Sequence, residues 1–232
     1  MALWTIGDLH LSFGVKGPIY VMDSSWKGHE KKIDKYCRKW IHDQDTLVIT
    51  GDHTWGKSPE ERKPDFEFIE DLPGRKILLR GNHDMFWDAK KTDKLNQAFE
   101  GKLYFLQNNF YSYEDYALVG TKGYCYEGLD TIEHYQKIMD REEKRLRTSF
   151  ELAKNAGFHK FIVFLHYPPT TIGEQESVFT RMAEEYGASF VIYSHSHGQA
   201  RFHDSIQGPY HGIEYRLVSS DFLKFRPVRI LD

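Results

Sequence analysis

The chain has 232 residues, enough for a single domain spanning 1–232, and 40% hydrophobic with 15% aromatic content supports a substantial buried core. With 31 basic against 34 acidic residues, the formal net charge of −3 excludes a sequence-wide electrostatic pull toward nucleic acid or acidic membranes. The two cysteines, Cys37 and Cys125, sit in no CxxC or Cys/His spacing, and no apolar run approaches the roughly 18 residues of a membrane helix, so the reading is of a soluble, cytoplasmic protein without a membrane partner, a structural zinc site or a leader.

In chain order, strands are predicted at Leu3–Ile6, Thr46–Thr50, Lys76–Leu79, Tyr116–Val119, Phe161–Leu165 and Phe190–Tyr193. Each is a short, nearly continuous apolar run rich in β-branched and aromatic residues, the pattern of strands covered on both faces. Between the first two, Ile33, Tyr36, Trp40 and Ile41 share one face of a helix over about residues 29 to 43. Lys57 to Pro64, rich in Pro and charge, reads as a loop or capped turn on the rim of the sheet. A longer helix covers roughly residues 131 to 156, with Ile132, Tyr135, Met139, Leu146, Phe150 and Ala153 as its apolar stripe and Gly157 as its stop. Val178, Phe179, Met182 and Tyr186 before Gly187 mark another short helix, and the tail from 213 to 232 supplies one or two more strands. This alternation is that of an α/β layered domain.

Five polar clusters stand at or just past the apolar runs: Gly7-Asp8-Leu9-His10, Gly51-Asp52-His53, Gly81-Asn82-His83-Asp84, His166 and Ser194-His195-Ser196-His197. Taken singly, an Asp after Gly is a turn or a helix cap, and a lone His is a satisfied polar group. Taken together, they recur at the topological position where α/β proteins place their ligands. Carboxylates, imidazoles and one amide form the donor inventory of a two-metal site, in which the ions lie about 3.5 to 4 Å apart around a bridging carboxylate.

The order Asp-x-His, Gly-Asp, Gly-Asn-His-Asp, His and His-x-His, spanning positions 7 to 198, resembles the calcineurin-like metallophosphoesterase superfamily. The resemblance implies a four-layer α/β/β/α sandwich with mixed sheets. It also implies that Asp8, His10 and His197 hold one metal, that Asn82, His166 and His195 hold the other, and that Asp52 bridges them. His83 would be the non-ligand histidine that contacts the phosphate or protonates the leaving oxygen. Thr54-Trp55-Gly56, Phe86-Trp87, Gly120 to Tyr124 and His166 to Thr170 are similar to a bacterial subgroup of predicted phosphohydrolases within it. Two departures stand out: Trp55 lies three positions after Asp52, where several branches carry an acidic residue that orients the histidine, and Ser194 stands where Gly usually precedes His-x-His.

The expected reaction is hydrolysis of a small phosphoester, a diester slightly favoured over a monoester, by attack of a metal-bound hydroxide while His83 supplies a proton. Two divalent cations are the expected cofactors, with Mn²⁺ favoured and Fe or Zn as alternatives, because mixed oxygen and imidazole ligands discriminate weakly among them. Arg80 is a candidate for bidentate contact with phosphate, and Trp55 and Tyr167 for walls of a substrate pocket. The rivals are a nuclease acting on DNA or RNA and a non-catalytic protein-binding scaffold. The first would show Lys/Arg interleaved with aromatics, whereas Lys90-Lys91 and Arg141 to Arg147 read as solvated helix faces. The second usually loses ligands, and none is lost here.

Overall fold

The computed structural model describes residues 1–15 and 24–232. In chain order the elements are β1 (Leu3–Ile6), α1 (His29–Trp40), β2 (Thr46–Ile49), α2 (Pro59–Asp71), β3 (Arg75–Leu79), α3 (Thr92–Ala98), β4 (Leu103–Leu106), β5 (Phe110–Tyr113), β6 (Tyr116–Thr121), α4 (Ile132–Asn155), β7 (Lys160–Leu165), α5 (Val178–Glu185), β8 (Ala188–Tyr193), β9 (Gly208–Tyr210), β10 (Ile213–Leu217) and β11 (Val228–Leu231). They form two mixed sheets flanked by helices, one in each of two compact units: residues 1–105 with 218–232, and residues 106–217. None of the described helices is long and apolar enough to cross a membrane.

In the first unit the strand order is β11-β1-β2-β3-β4, with β1, β2 and β3 parallel and β11 antiparallel to β1. Parallel pairing carries the chain away from the C-terminal edge of each strand in the same direction, so the turns after β1, β2 and β3 gather at one edge. The α1 face of Ile33 and Cys37 and the α2 face of Phe66 and Ile69 pack into one core with Ile6, Leu47, Ile49 and Leu78. Tyr36 and Trp40 border it, Trp40 stacking on Trp4 at 6.3 Å between ring centroids.

Helix α2 corrects the expectation of a loop at Lys57 to Pro64. Ser58 caps it: its Oγ accepts from the Glu61 N–H at 3.2 Å, the Glu61 carboxylate accepts from the Ser58 N–H at 3.1 Å, and Pro59 takes the first turn, where no N–H is needed. Pro64 does not end the helix, although it cannot donate to the carbonyl four residues back. The apolar face of Phe66 and Ile69 outweighs that loss.

In the second unit the order is β5-β6-β7-β8-β10-β9, with β6, β7, β8 and β10 parallel and the two edge strands antiparallel to their neighbours. Helix α4 lies on β5 and β6 and touches α5, which packs on β8. Its 24 residues span about 36 Å, whereas its six-residue strand partner β6 covers about 20 Å. The first turns therefore overhang, and Ile132, expected in the buried stripe, is exposed, while burial begins at Met139. Tyr135 meets the rings of Tyr124 and Tyr126 instead of the sheet. Within the buried face the Glu142 carboxylate accepts from Thr121 Oγ1 at 2.7 Å and from Arg145 at 2.6 Å. Both cysteines are buried, which pushes their thiols up to about 12 and leaves them unreactive.

The start of β1 is fastened by Asp45, whose carboxylate accepts from the backbone N–H of Ala2 (2.8 Å) and of His42 (2.9 Å) and from the Trp4 indole (3.3 Å). Burial alone would raise its pKa, but these donors outweigh it and hold the carboxyl below the usual aspartate range. Asp45→Ala is expected to cost about 1–3 kcal/mol in urea unfolding. A depressed folded pKa means the contribution is complete above the unfolded value near pH 3.9 and disappears as pH falls through the folded one. Asp45→Asn should accordingly flatten the acid limb of the stability profile.

Candidate metal centre

Beyond the strand ends of the first unit the loops continue to pair. Asp8 N–H donates to Gly51 O at 3.0 Å, His10 N–H to Asp52 O at 2.9 Å, Leu11 N–H to His53 O at 3.0 Å and Trp55 N–H to Leu11 O at 2.8 Å. The turn before Asp8 is tied from its other side by Gly7 N–H to Val218 O at 2.7 Å and by Ser220 Oγ–H to Gly7 O at 2.6 Å. Helix α1 adds His29, whose ring nitrogens lie 2.7 Å from Trp26 O and 2.8 Å from Leu9 O. Asp8, His10 and Asp52 are thereby buried side by side, with a ligand atom of Asp8 within 4.8 Å of one of His10 and His10 Nε2 3.7 Å from Asp52 Oδ2.

The loop after β3 is locked to the one after β2 by Asp84. Its buried carboxylate accepts from the N–H groups of Gly81 (2.7 Å), Asp52 (2.9 Å) and His53 (3.0 Å) and from His53 Nδ1 (2.9 Å). Burial penalises its charge, yet the His53 imidazole and these N–H groups outweigh the penalty, and the carboxyl titrates below the ordinary range. His83 N–H in turn donates to Asp52 Oδ1 at 2.8 Å. Gly81 is required for closeness rather than for a special dihedral, because a Cβ there would stand 2.1 Å from Asp52 Oδ1.

Trp55 is half-buried between two of the residues the motifs single out, stacked on His10 (5.1 Å between centroids, 19° between planes) and tilted against His83 (4.4 Å, 50°). Where an acid was the expected orienter of His83, an aromatic face meets the imidazole. Asp84 does not take that role either, since its oxygens serve Gly81, Asp52 and His53. Asn82 and Arg80 are half-buried on the same loop, and His83 is exposed. Trp87 lies in the core, its indole donating to Thr92 Oγ1 at 3.1 Å.

The second unit repeats the construction after β6, β7 and β8. His166 N–H and Tyr167 N–H both donate to Lys122 O, at 3.1 and 2.9 Å, and Ser194 N–H donates to His166 O at 3.0 Å. His166, Ser194 and His197 are buried, and ligand atoms of His166 and His195 lie within 4.8 Å of each other. Ser194 needs no positive φ; the left-handed turn falls one residue later, on His195 (φ 71°), and Ser194 Oγ lies 3.3 Å from His166 Nδ1. Tyr167 is buried against the His195 ring at 4.1 Å, with the Lys122 ammonium 4.4 Å from its centroid. Glu127 and Arg201, which no sequence motif marks, complete this edge: Glu127 Oε1 is 3.2 Å from His195 Nε2 and accepts from Arg201 Nη2 at 2.8 Å.

Nine described non-glycine residues have positive φ, and four of them are residues of the motifs: Asp8 (57°), His10 (45°), Asp52 (51°) and His195 (71°). Such a conformation costs a residue with a Cβ roughly 1–2 kcal/mol, and at these four positions it falls in the turns just beyond strand ends. In the first unit the buried carboxylates of Asp8 and Asp52, the His10 imidazole and the half-buried Asn82 amide, and in the second the imidazoles of His166, His195 and His197, are donors of the kind that divalent cations take.

Two substitutions probe this architecture. Asp84→Ala should be strongly destabilising by thermal or urea unfolding, because the buried N–H groups of Gly81, Asp52 and His53 lose their acceptor at about 1–3 kcal/mol each. Gly81→Ala should cost less, about 1–3 kcal/mol of overpacking, while shifting Asp52 and lowering the metal content found by elemental analysis.

A family model described as calcineurin-like phosphoesterase matches residues 1–199. No curated protein is matched by the sequence. Among solved structures, the chain is similar to a protein of unknown function from Aquifex aeolicus (18% identity, TM-score 0.52, 98% of this chain and 95% of that one). It is also similar to the phosphopantetheinyl hydrolase of Mycobacterium tuberculosis (14%, 0.57, 94% and 88%) and to a protein from Thermus thermophilus (11%, 0.54, 84% and 81%). At these identities the structural likeness is one of fold. With a family model covering most of its length, the chain belongs to the calcineurin-like phosphoesterases, metal-dependent hydrolases of phosphoesters.

Proposed function

We propose that the protein is a dinuclear phosphohydrolase that prefers phosphodiesters, with Mn²⁺ as its working metal. The observation that carries this reading is the concentration of positive φ at Asp8, His10, Asp52 and His195, all beyond strand ends. In the first unit, Asp8 and His10 would hold one ion, Asp52 would serve both, and Asn82 would hold the second. By the ligand order of the family, His197 would belong with Asp8 and His10, and His166 and His195 with Asn82. When bound, the two cations supply Lewis acidity toward the phosphoryl oxygens and lower the pKa of water.

The protein's own groups do the rest. The backbone N–H of His83, donated to Asp52 Oδ1, fixes where its ring begins, and the Trp55 ring packs against the imidazole and sets its tilt. From a ring nitrogen, His83 would deliver the proton that the departing oxygen requires. Charge supports the diester: at neutral pH a monoester carries about one more negative charge than a diester, since the second phosphate pKa is about 6. Arg201, beside His195, is already neutralised by Glu127 and Asp204. The phosphopantetheinyl hydrolase of similar fold suggests a phosphoester bearing an organic group as the substrate class.

The test is turnover by the Mn²⁺-loaded chain of bis(4-nitrophenyl) phosphate, 4-nitrophenyl phosphate, an alkyl phosphodiester and single-stranded DNA. A higher kcat/KM for the diester than for the monoester is expected, and the opposite order would reverse the preference. His83→Ala should lower kcat by about 10²- to 10⁴-fold on the alkyl ester and far less on the nitrophenyl ester, whose leaving group needs no proton. Asp52→Asn should abolish turnover and reduce bound metal; full activity in that variant would remove Asp52 from the bridging position.

A further inference from the structure

We infer that Glu127 is a positioning residue for the metal centre: by holding Nε2 of His195 it fixes the ring so that Nδ1 is the nitrogen offered to the cation. The inference rests on the dinuclear reading above and adds to it a residue outside every motif. His195 protrudes from the end of β8 in a left-handed turn, and the backbone alone leaves its imidazole free to rotate about two side-chain bonds. Three contacts remove that freedom within the second unit. Tyr167 covers one face at 4.1 Å, His166 lies edge-on at 5.0 Å, and Glu127 Oε1 stands 3.2 Å from Nε2.

A carboxylate accepts only, so the proton of the neutral imidazole belongs on Nε2 and the lone pair on Nδ1. Pairing of a ligating imidazole with a carboxylate raises its basicity and holds its tautomer. Glu127 is itself held, because the same Oε1 accepts from Arg201 Nη2 at 2.8 Å while Arg201 Nε donates to Asp204 Oδ2 at 2.9 Å. The chain Asp204–Arg201–Glu127–His195 thus joins the loops after β6 and β8, and it accounts for Arg201 without giving it a substrate contact.

The test uses the full chain and its Glu127→Ala and Glu127→Gln variants, with Glu214→Gln as a control for losing an acid paired to an arginine elsewhere in the same unit. Mn²⁺ titration by calorimetry, with elemental analysis, should show two ions bound by the wild type and by the control. In Glu127→Ala, affinity for one of the two should fall by about 10- to 100-fold. Glu127→Gln, which keeps an oxygen acceptor without the charge, should fall between. Nitrogen-15 shifts of His195 in the metal-free wild type should report a protonated Nε2. Metal-free melting of each variant separates this from unfolding; if Glu127→Ala unfolds, Glu127→Gln decides by the same titration. Two ions in the wild type with unchanged affinities in a folded Glu127 variant, or a protonated Nδ1, would overturn the inference alone. Fewer than two ions in the wild type would overturn the dinuclear reading and the inference with it.

Discussion

Parallel pairing is the constraint on which the molecule depends. Because β1, β2 and β3 run the same way, three separated stretches of sequence reach the same edge of one sheet. Because β6, β7 and β8 do likewise, three more reach one edge of the other. Loops brought together in this way still need fixing, and a single buried carboxylate does most of it in the first unit. Asp84 accepts three backbone N–H groups and an imidazole from the turns after β2 and β3, at a place where each lost partner would leave a buried donor or charge unmatched. That lock lets Asp52 and His83 share a hydrogen bond, and the missing side chain of Gly81 gives the Asp52 carboxylate its room.

Strain and support are placed together. The four positive-φ motif residues sit in loops whose backbone hydrogen bonds extend the sheet pattern beyond the strands, so the conformational cost at each is carried by a ladder already formed. Aromatic rings finish the job where hydrogen bonds do not. Trp26 and Trp55 box His10, Trp55 leans on His83, and Tyr167 covers His195. Aromatic faces hold imidazoles in place without adding charge, which matters beside carboxylates whose ionisation is what a cation site uses.

How much of this was legible depends on the range of the interaction. The strand runs at Leu3, Thr46 and Phe161 announce themselves by local composition, and their polar ends mark the loops that carry Asp8, Asp52 and His166. The helix after Ser58 was signalled by its capping box but masked by Pro64, since a local rule about proline gives no weight to the core that Phe66 and Ile69 enter. The overhang of α4 beyond its strands was invisible to periodicity, which reports a face and not where that face runs out of partner. Gln107, Glu142 and Ser149 tell the same story: their partners in β6 or the turn before β5 lie 14 to 40 residues away.

By itself the sequence determined the inventory and order of the chemistry, because a motif residue is set by its place after a strand, and that place is encoded within a few neighbours. It placed carboxylates, imidazoles and an amide at five strand ends and put Trp55 where an acid was expected. Only the tertiary structure decided what each does to the others. Asp84 turned to His53 instead of His83, His195 rather than Ser194 took the left-handed turn, and Glu127 joined the edge from a loop 68 residues from His195 and 74 from Arg201 in sequence. The reason is physical: hydrogen bonds and ring contacts act over a few ångströms in space, and it is the sheet register, a long-range pairing, that brings those atoms within reach.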